Sequence, residues 1–454
     1  MEDFLKEIEA LNHVTAIVGD SGVFSYADLY EAVLEFSSLL RSTLVCDSSV
    51  LLVDDYSMGS IAMLFALARY NNVVALAVPA GDAHVESLAR AAGCSFVIRG
   101  SSTGLPKITT RDVSALPPAI ERLLTKRATG FVVFSSGSTG PAKGVVHCLA
   151  PFLRQYLNSE PCGVMLAFLL FDHIGGLATV LHALFTRGTL VLPRERSPYE
   201  VNRCIERYGV QTLHVSPTLL NLALSSDSFQ LGEVQSLRRI YYGSEPAPSA
   251  LVNRVKEELP LVELRQLYGM SEIGVLPCVS RPEDSSWIKV VDPEYRVRIV
   301  DGILQVSSPT NLVGYLAGAP ALTEDGYFIT GDLAEESDGF FRVKGRDTDL
   351  INVGGTKVYP IDVENILKEI SGVLDVVVYG QPNPLLGQVV AARFSLSRHE
   401  TLDSLKSRVF MYVKGVLTPE QVPRVFSISE EPLHTARFKK SRKLNSIPGL
   451  VEPG

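Results

Sequence analysis

Short runs of apolar, largely β-branched residues alternate with stretches of helical period over the first part of the chain. VLLVDD (50–55) precedes SIAMLFALARY, VVALAVP precedes HVESLARAAG, GTLVLP precedes YEVNRCIERYG, and VQTLHVSP precedes TLLNLAL. Strand and helix in regular alternation predict parallel sheet with helices covering both faces. From about residue 285 the pattern shifts to short strands with turn signals, as in YRVRIVDGILQVSS, and predicts a small β-rich subdomain. Beyond Gly345 a helix (IDVENILKEI), two strands (LDVVVYG, VVAARFSL) and a second helix (LDSLKSRVFMYVKGV) predict a compact α+β tail. The expected fold is therefore α/β: a large N-terminal domain over 1–344, including the β-rich subdomain at about 285–344, and a small α+β C-terminal domain over 345–454. The most apolar stretch, VMLAFLLFDHIGGLATVLHALF, is interrupted at its centre by Asp172, His173 and a Gly pair. That reads as a buried strand, a turn and a buried helix, with no membrane span.

Composition narrows the partners. A chain of 454 residues with 46% apolar and 20% charged residues is sized for two or three lobes. A formal charge of −8 supplies no basic footprint for nucleic acid or an acidic membrane surface, so small molecules or proteins are expected. Cys46, Cys94, Cys148, Cys162, Cys204 and Cys278 are scattered, with no metal-ligand spacing, which predicts a reduced, cytoplasmic protein. The acidic, amphipathic start MEDFLKEIEALNHV lacks the pattern of a signal peptide. Monomer and homodimer both stay open.

One loop concentrates the chemistry. In FVVFSSGSTGPAKGVVH (131–147) an apolar run gives way to small residues, a lysine and a second apolar run. Backbone N–H groups unobstructed by side chains form a nest for phosphate oxygens. Gly137 and Lys143 have Walker spacing, yet Ala142 stands where the second glycine belongs and Gly144 follows the lysine, against an ordinary P-loop NTPase. A solvated Gly/Ser turn is the plain alternative.

The company of this loop decides between them. SSGSTGPAKGVVH resembles the phosphate loop of the adenylate-forming enzymes, the superfamily of acyl-CoA synthetases, peptide-synthetase adenylation domains and luciferases; Pro141 and Ala142 depart from its usual x-Pro order. YYGSEP (241–246), LYGMSEIG (267–274), ITGD (329–332) and KGRDTDLINVGGTKVYPIDVE (344–364) resemble further motifs of that superfamily, in its order. The resemblance implies ATP, Mg²⁺ and a carboxylic acid as substrates, an acyl-AMP intermediate, and a thiol acceptor, either CoA or the pantetheine of a carrier protein. It implies that Ser135, Ser136, Gly137, Ser138, Thr139, Gly140 and Lys143 hold the β- and γ-phosphates, that Glu272 holds the metal, and that Ser271 meets the α-phosphate. Gly243, Ser244, Glu245 and Tyr268 would border adenine, with Asp332 and Arg346 on the ribose. Tyr268 either stacks on adenine or fills the core.

The remaining assignments follow the same resemblance. HTARFKKSR (434–442) is similar to the family's basic tail, which points to Lys439 as the catalytic lysine, with Lys440 the adjacent register and Phe438 in place of a glycine. LLFDHIGGL (169–177) resembles the acid-pocket segment, so Phe171, Asp172, His173, Gly269 and Met270 would border the acid. Asp172 also fits an alignment in which it pairs the ammonium of an amino acid, and His173 equally fits a core histidine satisfied by backbone. Gly354, Gly355 and Lys357 form the loop that admits the pantetheine arm, and Thr348 or Asp349 is the expected hinge between two positions of a mobile tail domain. The expected activity is acyl- or aryl-CoA ligation through an adenylate. The alternatives are a carrier-protein-loading enzyme and a nucleotide- or acyl-binding module that has lost catalysis.

Overall fold

The computed structural model describes residues 1–101, 104–135, 143–157, 159–225 and 234–434. Ser136–Gly140 of the phosphate loop and Lys439 and Lys440 of the tail lie outside the described residues.

Two seven-stranded sheets carry the N-terminal part. One runs in the order Glu263–Gln266, Arg239–Tyr242, Thr212–Val215, Val164–Leu166, Thr189–Leu192, Thr15–Gly19, Gly22–Ser25, and only its last pair, a hairpin, is antiparallel. The other runs Gly314–Tyr315, Lys143–Cys148, Gly130–Ser135, Val73–Ala77, Ser49–Val53, Phe96–Arg99, Lys107–Thr110. Its centre is parallel and its edges are antiparallel. The central strands Ser49–Val53 and Val73–Ala77 are buried at every position, as expected for parallel strands covered on both faces.

The helices Met58–Arg69 and Ile174–Phe185 belong to the largest core cluster, which draws on both sheets. Their sequences are apolar almost all round because little of either helix meets water. The Ile174–Phe185 helix is the second half of the apolar stretch that resembles a span, and it follows the short strand Val164–Leu166. Among the described residues, no helix is long and apolar enough to cross a membrane.

An antiparallel six-stranded sheet follows, from Cys278–Ser280 to Phe340–Arg346, and its buried face (Ile288, Leu304, Val306, Phe328, Phe341) joins the same main core. A five-stranded sheet then forms from Ile351–Val353, Thr356–Val358, Val373–Asn383, Gly387–Leu396 and Val425–Ile428, covered by the helices Pro360–Lys368 and Leu402–Val413. Its core, from Ile351 to Phe426, contains only residues of this segment. Between the last two sheets lies a single 3₁₀ turn, Asp347–Asp349. The tail meets the rest where Ile361, Glu364 and Lys368 face Pro217, Thr218, Glu245 and Pro246 across a small cleft.

Candidate active site

Gly130–Ser135 and Lys143–Cys148 pair antiparallel, with Ser135 opposite Lys143. Lys143 Nζ lies 3.4 Å from Glu272 Oε1 and 3.9 Å from the centroid of the Tyr315 ring. Tyr315 donates its hydroxyl hydrogen to the same Glu272 oxygen at 3.0 Å. Glu272 is buried and sits in the tight turn between the short strands Gly269–Met270 and Gly274–Val275. That turn needs glycine, since a Cβ on Gly269 would stand 2.5 Å from the Gly274 carbonyl oxygen.

The turn is fixed from behind by a histidine. His147, fully buried on Lys143–Cys148 and stacked on Phe131 with centroids 5.0 Å apart, meets the Ser271 carbonyl at 2.6 Å through Nε2. A carbonyl only accepts, so Nε2 carries the proton. Burial lowers the pKa of His147 to about 4, keeping the ring neutral at physiological pH.

A second carboxylate stands beside the first. Asp332 lies on Phe328–Ser337, opposite Arg346 on Phe340–Arg346 and next to a register shift at Leu333/Ala334 that re-aims the strand. Arg346 Nε reaches Asp332 Oδ1 at 2.8 Å, and the Tyr268 hydroxyl donates to Oδ2 at 2.6 Å. Burial raises the Asp332 pKa, opposed by Arg346 and Tyr268 and reinforced by the negative charges of Asp349 and Glu272. Tyr268 is itself buried, edge-on to Phe341 with centroids 6.0 Å apart. Its ring fills the core and its hydroxyl orients Asp332.

The other sequence-derived residues take different stations. Gly243 follows the strand Arg239–Tyr242 where a Cβ would stand 2.6 Å from the Leu267 carbonyl oxygen, and Ser244 holds φ +72. The Glu245 carboxylate accepts from the backbone N–H of Thr218 at 2.8 Å and from the Thr218 hydroxyl, so it caps the helix Pro217–Ser225. His173 caps Ile174–Phe185, its Nδ1 accepting from Gly175 N–H at 3.2 Å. Phe171 is fully buried, 5.2 Å from the Tyr56 ring. Asp172 is buried close enough to Arg196 for its charge to raise the arginine's pKa, while Arg196 forks onto Asp55 with two 2.7 Å contacts. Met270 is half-buried. Gly354, Gly355 and Lys357 are exposed around the turn of the tail hairpin, and Gly355 N–H donates to Asn352 Oδ1 at 2.9 Å. Thr348 and Asp349 lie in the 3₁₀ turn between the sheets.

Tyr315 and His147 were invisible to motif reading. The pairing of Gly314–Tyr315 with Lys143–Cys148 brings Tyr315 to Glu272, and the packing of Lys143–Cys148 against the Glu272 turn brings His147 to the Ser271 carbonyl.

A cavity of about 720 Å³ adjoins this turn. It is lined by Val275 and Leu276 beyond the turn, and on the sheet and helix side by His182, His214, Tyr241 and Tyr156. Tyr241 opens the YYGSEP motif, while His182, His214 and Tyr156 lie outside the motifs read from sequence.

Two tyrosine-clamped carboxylates, a lysine beside one of them and an adjoining cavity suit a nucleotide beside a second, smaller substrate. A match to the AMP-binding enzyme family spans residues 6–328. The chain is 30% identical over 312 residues to a (methyl-dioxo-octahydroindenyl)propanoyl:CoA ligase of Mycobacterium tuberculosis, a match covering 64% of this chain and 61% of the relative. It is 27% identical to the 2-succinylbenzoate–CoA ligase of Geobacillus kaustophilus over 98% of both chains. A solved anthranilate CoA ligase in complex with anthranoyl-AMP superposes with a TM-score of 0.82 at 19% identity, covering 96% of this chain and 95% of that one. The order of the motifs, the paired carboxylates and the family match over most of the chain make this protein a member of the AMP-binding enzyme family, within the adenylate-forming superfamily.

Proposed function

We propose that the protein couples a carboxylic acid to the AMP moiety of ATP, releasing pyrophosphate, and then transfers the acyl group to CoA. The observation that carries this reading is the pair of buried carboxylates close enough for the charge of Glu272 to act on Asp332, Glu272 held by Tyr315 and Lys143, and Asp332 held by Tyr268 and Arg346. A CoA ligase relative matched over 98% of both chains supports the thiol.

The residues divide the work by their chemistry. Asp332, an acceptor fixed by two donors, takes the ribose hydroxyls, and Arg346 orients it. Lys143, half-exposed beside Glu272, neutralises phosphate charge. In adenylation the acid's oxygen bonds to the α-phosphorus as its bond to the β-phosphate oxygen breaks. In the second step sulfur bonds to the carbonyl carbon and AMP leaves.

Glu272 fits Mg²⁺ as a single protein carboxylate. Among the described residues no group of three or more metal-binding side chains exists, and Mg²⁺ habitually completes its shell with phosphate oxygens and water. When bound it supplies charge neutralisation at the phosphates. His147 keeps the turn in place through the Ser271 carbonyl.

Asp172 fits a plain acid better than an amino acid, because a cation, Arg196, already senses its charge. The division at 344/345, with Thr348 or Asp349 as pivot, accords with the separate tail core and the lone 3₁₀ turn. We assign Gly354, Gly355 and Lys357 to the thiol-delivering face and Lys439 to adenylation. The scattered cysteines suit a reducing, cytoplasmic setting.

The test is Mg²⁺-dependent ATP–pyrophosphate exchange over a panel of aryl, fatty and amino acids, followed by CoA or purified carrier protein offered to the adenylate. Exchange with an acid and a CoA thioester is the expected result. Thioester only on carrier protein would overturn the acceptor, and ATP binding without exchange would make the chain a lapsed binding module.

A further inference from the structure

The cavity beside the Glu272 turn has an inner wall whose hydrogen-bonding sense can be worked out atom by atom. Thr179 lies in the helix Ile174–Phe185, one turn after Gly175, and its Oγ1 stands 2.8 Å from the Gly175 carbonyl oxygen and 2.9 Å from His214 Nδ1. A carbonyl has no hydrogen to give, so the threonine hydroxyl donates to it and accepts from His214 Nδ1–H. His214 is thereby fixed in one tautomer, with a lone pair at Nε2, and that nitrogen has no partner among the described residues. Burial lowers the pKa of His214 to about 3, so the lone pair is not lost to a proton at physiological pH.

The neighbours reinforce this polarity. His182, with its ring centroid 6.3 Å from that of His214, donates Nε2–H to the Glu160 carbonyl at 3.1 Å, which makes its own Nδ1 an acceptor. Tyr241 packs edge-on against His214 at 5.0 Å, and burial raises its pKa, as it does for Tyr156; both phenols keep their protons. The charged lining is not basic on balance. Arg154 and Arg265 face Glu160, Asp292 and Glu294, and Arg265 is bound to Glu263 and Glu160.

We propose that this cavity selects carboxylic acids whose body is apolar and whose far end carries a neutral hydrogen-bond donor, a hydroxyl or N–H, with His214 Nε2 as the accepting atom. This rests on the adenylating activity proposed above and specifies its substrate. An acid lacking the donor leaves a buried acceptor unsatisfied, and an acid ending in a second carboxylate sets anion against lone pair and against the acidic lining.

The experiment uses the full chain and pyrophosphate exchange over pairs of acids differing only at the far end, beginning with phenylpropanoate and its para-hydroxy, para-methoxy and para-carboxy derivatives, together with pairs of larger ring systems. The donor-bearing member of a pair is expected to have a kcat/KM at least about tenfold above its deoxy and methoxy partners, with the dicarboxylate lowest. In His214→Leu that ratio should fall to within about threefold of unity, whatever the absolute rate. Tyr241→Phe provides a second variant with its ring packing kept, and a loss of AMP binding identifies any variant that has failed to fold. Equal efficiency within every pair, or a ratio unmoved in folded His214→Leu, or one lost in Tyr241→Phe alone, overturns the assignment and leaves the adenylating activity standing. No exchange with any acid refutes the activity and the assignment with it.

Discussion

Tyr268→Phe tests the nucleotide side of the site without disturbing the core, because the ring and its edge contact with Phe341 remain. What is lost is one hydroxyl donating at 2.6 Å to Asp332 Oδ2. A hydrogen bond to a charged group in a buried setting is worth ~1.5–3 kcal/mol. Since ~1.4 kcal/mol is a factor of ten in an equilibrium, the protonation balance of Asp332 should move about ten- to a hundredfold toward the neutral acid. Its pKa is already raised by burial, so the change moves it further up. The ionised carboxylate accepts the ribose hydroxyls more strongly than the neutral acid, and binding that depends on it is present at high pH and lost as pH falls. On acidification, AMP affinity measured by calorimetry should therefore be lost at a higher pH in the variant than in the parent, the two profiles separated by about one pH unit or more, and should converge at alkaline pH. The same pH dependence in both proteins would refute either the grip of Tyr268 on Asp332 or the role of Asp332 in binding ribose.

Four further outcomes are expected. Glu272→Gln should lower pyrophosphate exchange by about two to three orders of magnitude, and Tyr315→Phe by a smaller factor with an increased Mg²⁺ requirement; full activity in Glu272→Gln would remove it from the site. His147, whose pKa falls from the usual 6.5 to about 4 in the folded protein, binds its proton only after unfolding within that window. Stability should thus be complete above pH 6.5 and fall by about 1.4 kcal/mol per unit toward pH 4 from this residue alone, with His182 and His214 acting in the same direction. Urea unfolding of His147→Gln should show a lower stability with a shallower acid slope. Lys439→Ala should reduce adenylation by about a hundredfold or more while leaving thioester formation from supplied acyl-AMP within a few-fold, and a bulky residue at Gly355 should do the reverse; loss of exchange in Lys440→Ala alone would move the register by one. Asp172→Asn should change KM for all acids alike through packing, and a selective loss with amino acids would restore the ammonium-pairing alternative.

The sequence by itself determined much of the local order. Alternating strand and helix periods identified the α/β layers, and the interrupted apolar stretch at 164–185 identified a short strand and a helix buried on nearly every side. The spaced motifs, through their resemblance to the adenylate-forming enzymes, singled out Glu272, Asp332, Arg346 and Lys143 as candidates. Motifs report residue types along the chain, and their partners across it are a different matter. Tyr315 reaches Glu272 only because Gly314–Tyr315 pairs with Lys143–Cys148, and Tyr268 was ambiguous until the Asp332 strand closed over its hydroxyl. Glu245 sits inside a recognisable motif, yet the fold also uses its carboxylate to cap the Pro217–Ser225 helix. The tautomer of His214 depends on Thr179, 35 residues away, and on the carbonyl that claims the Thr179 hydrogen. Hydrogen-bond sense belongs to three-dimensional neighbours, and burial, which keeps these histidines neutral, is a property of the packed core.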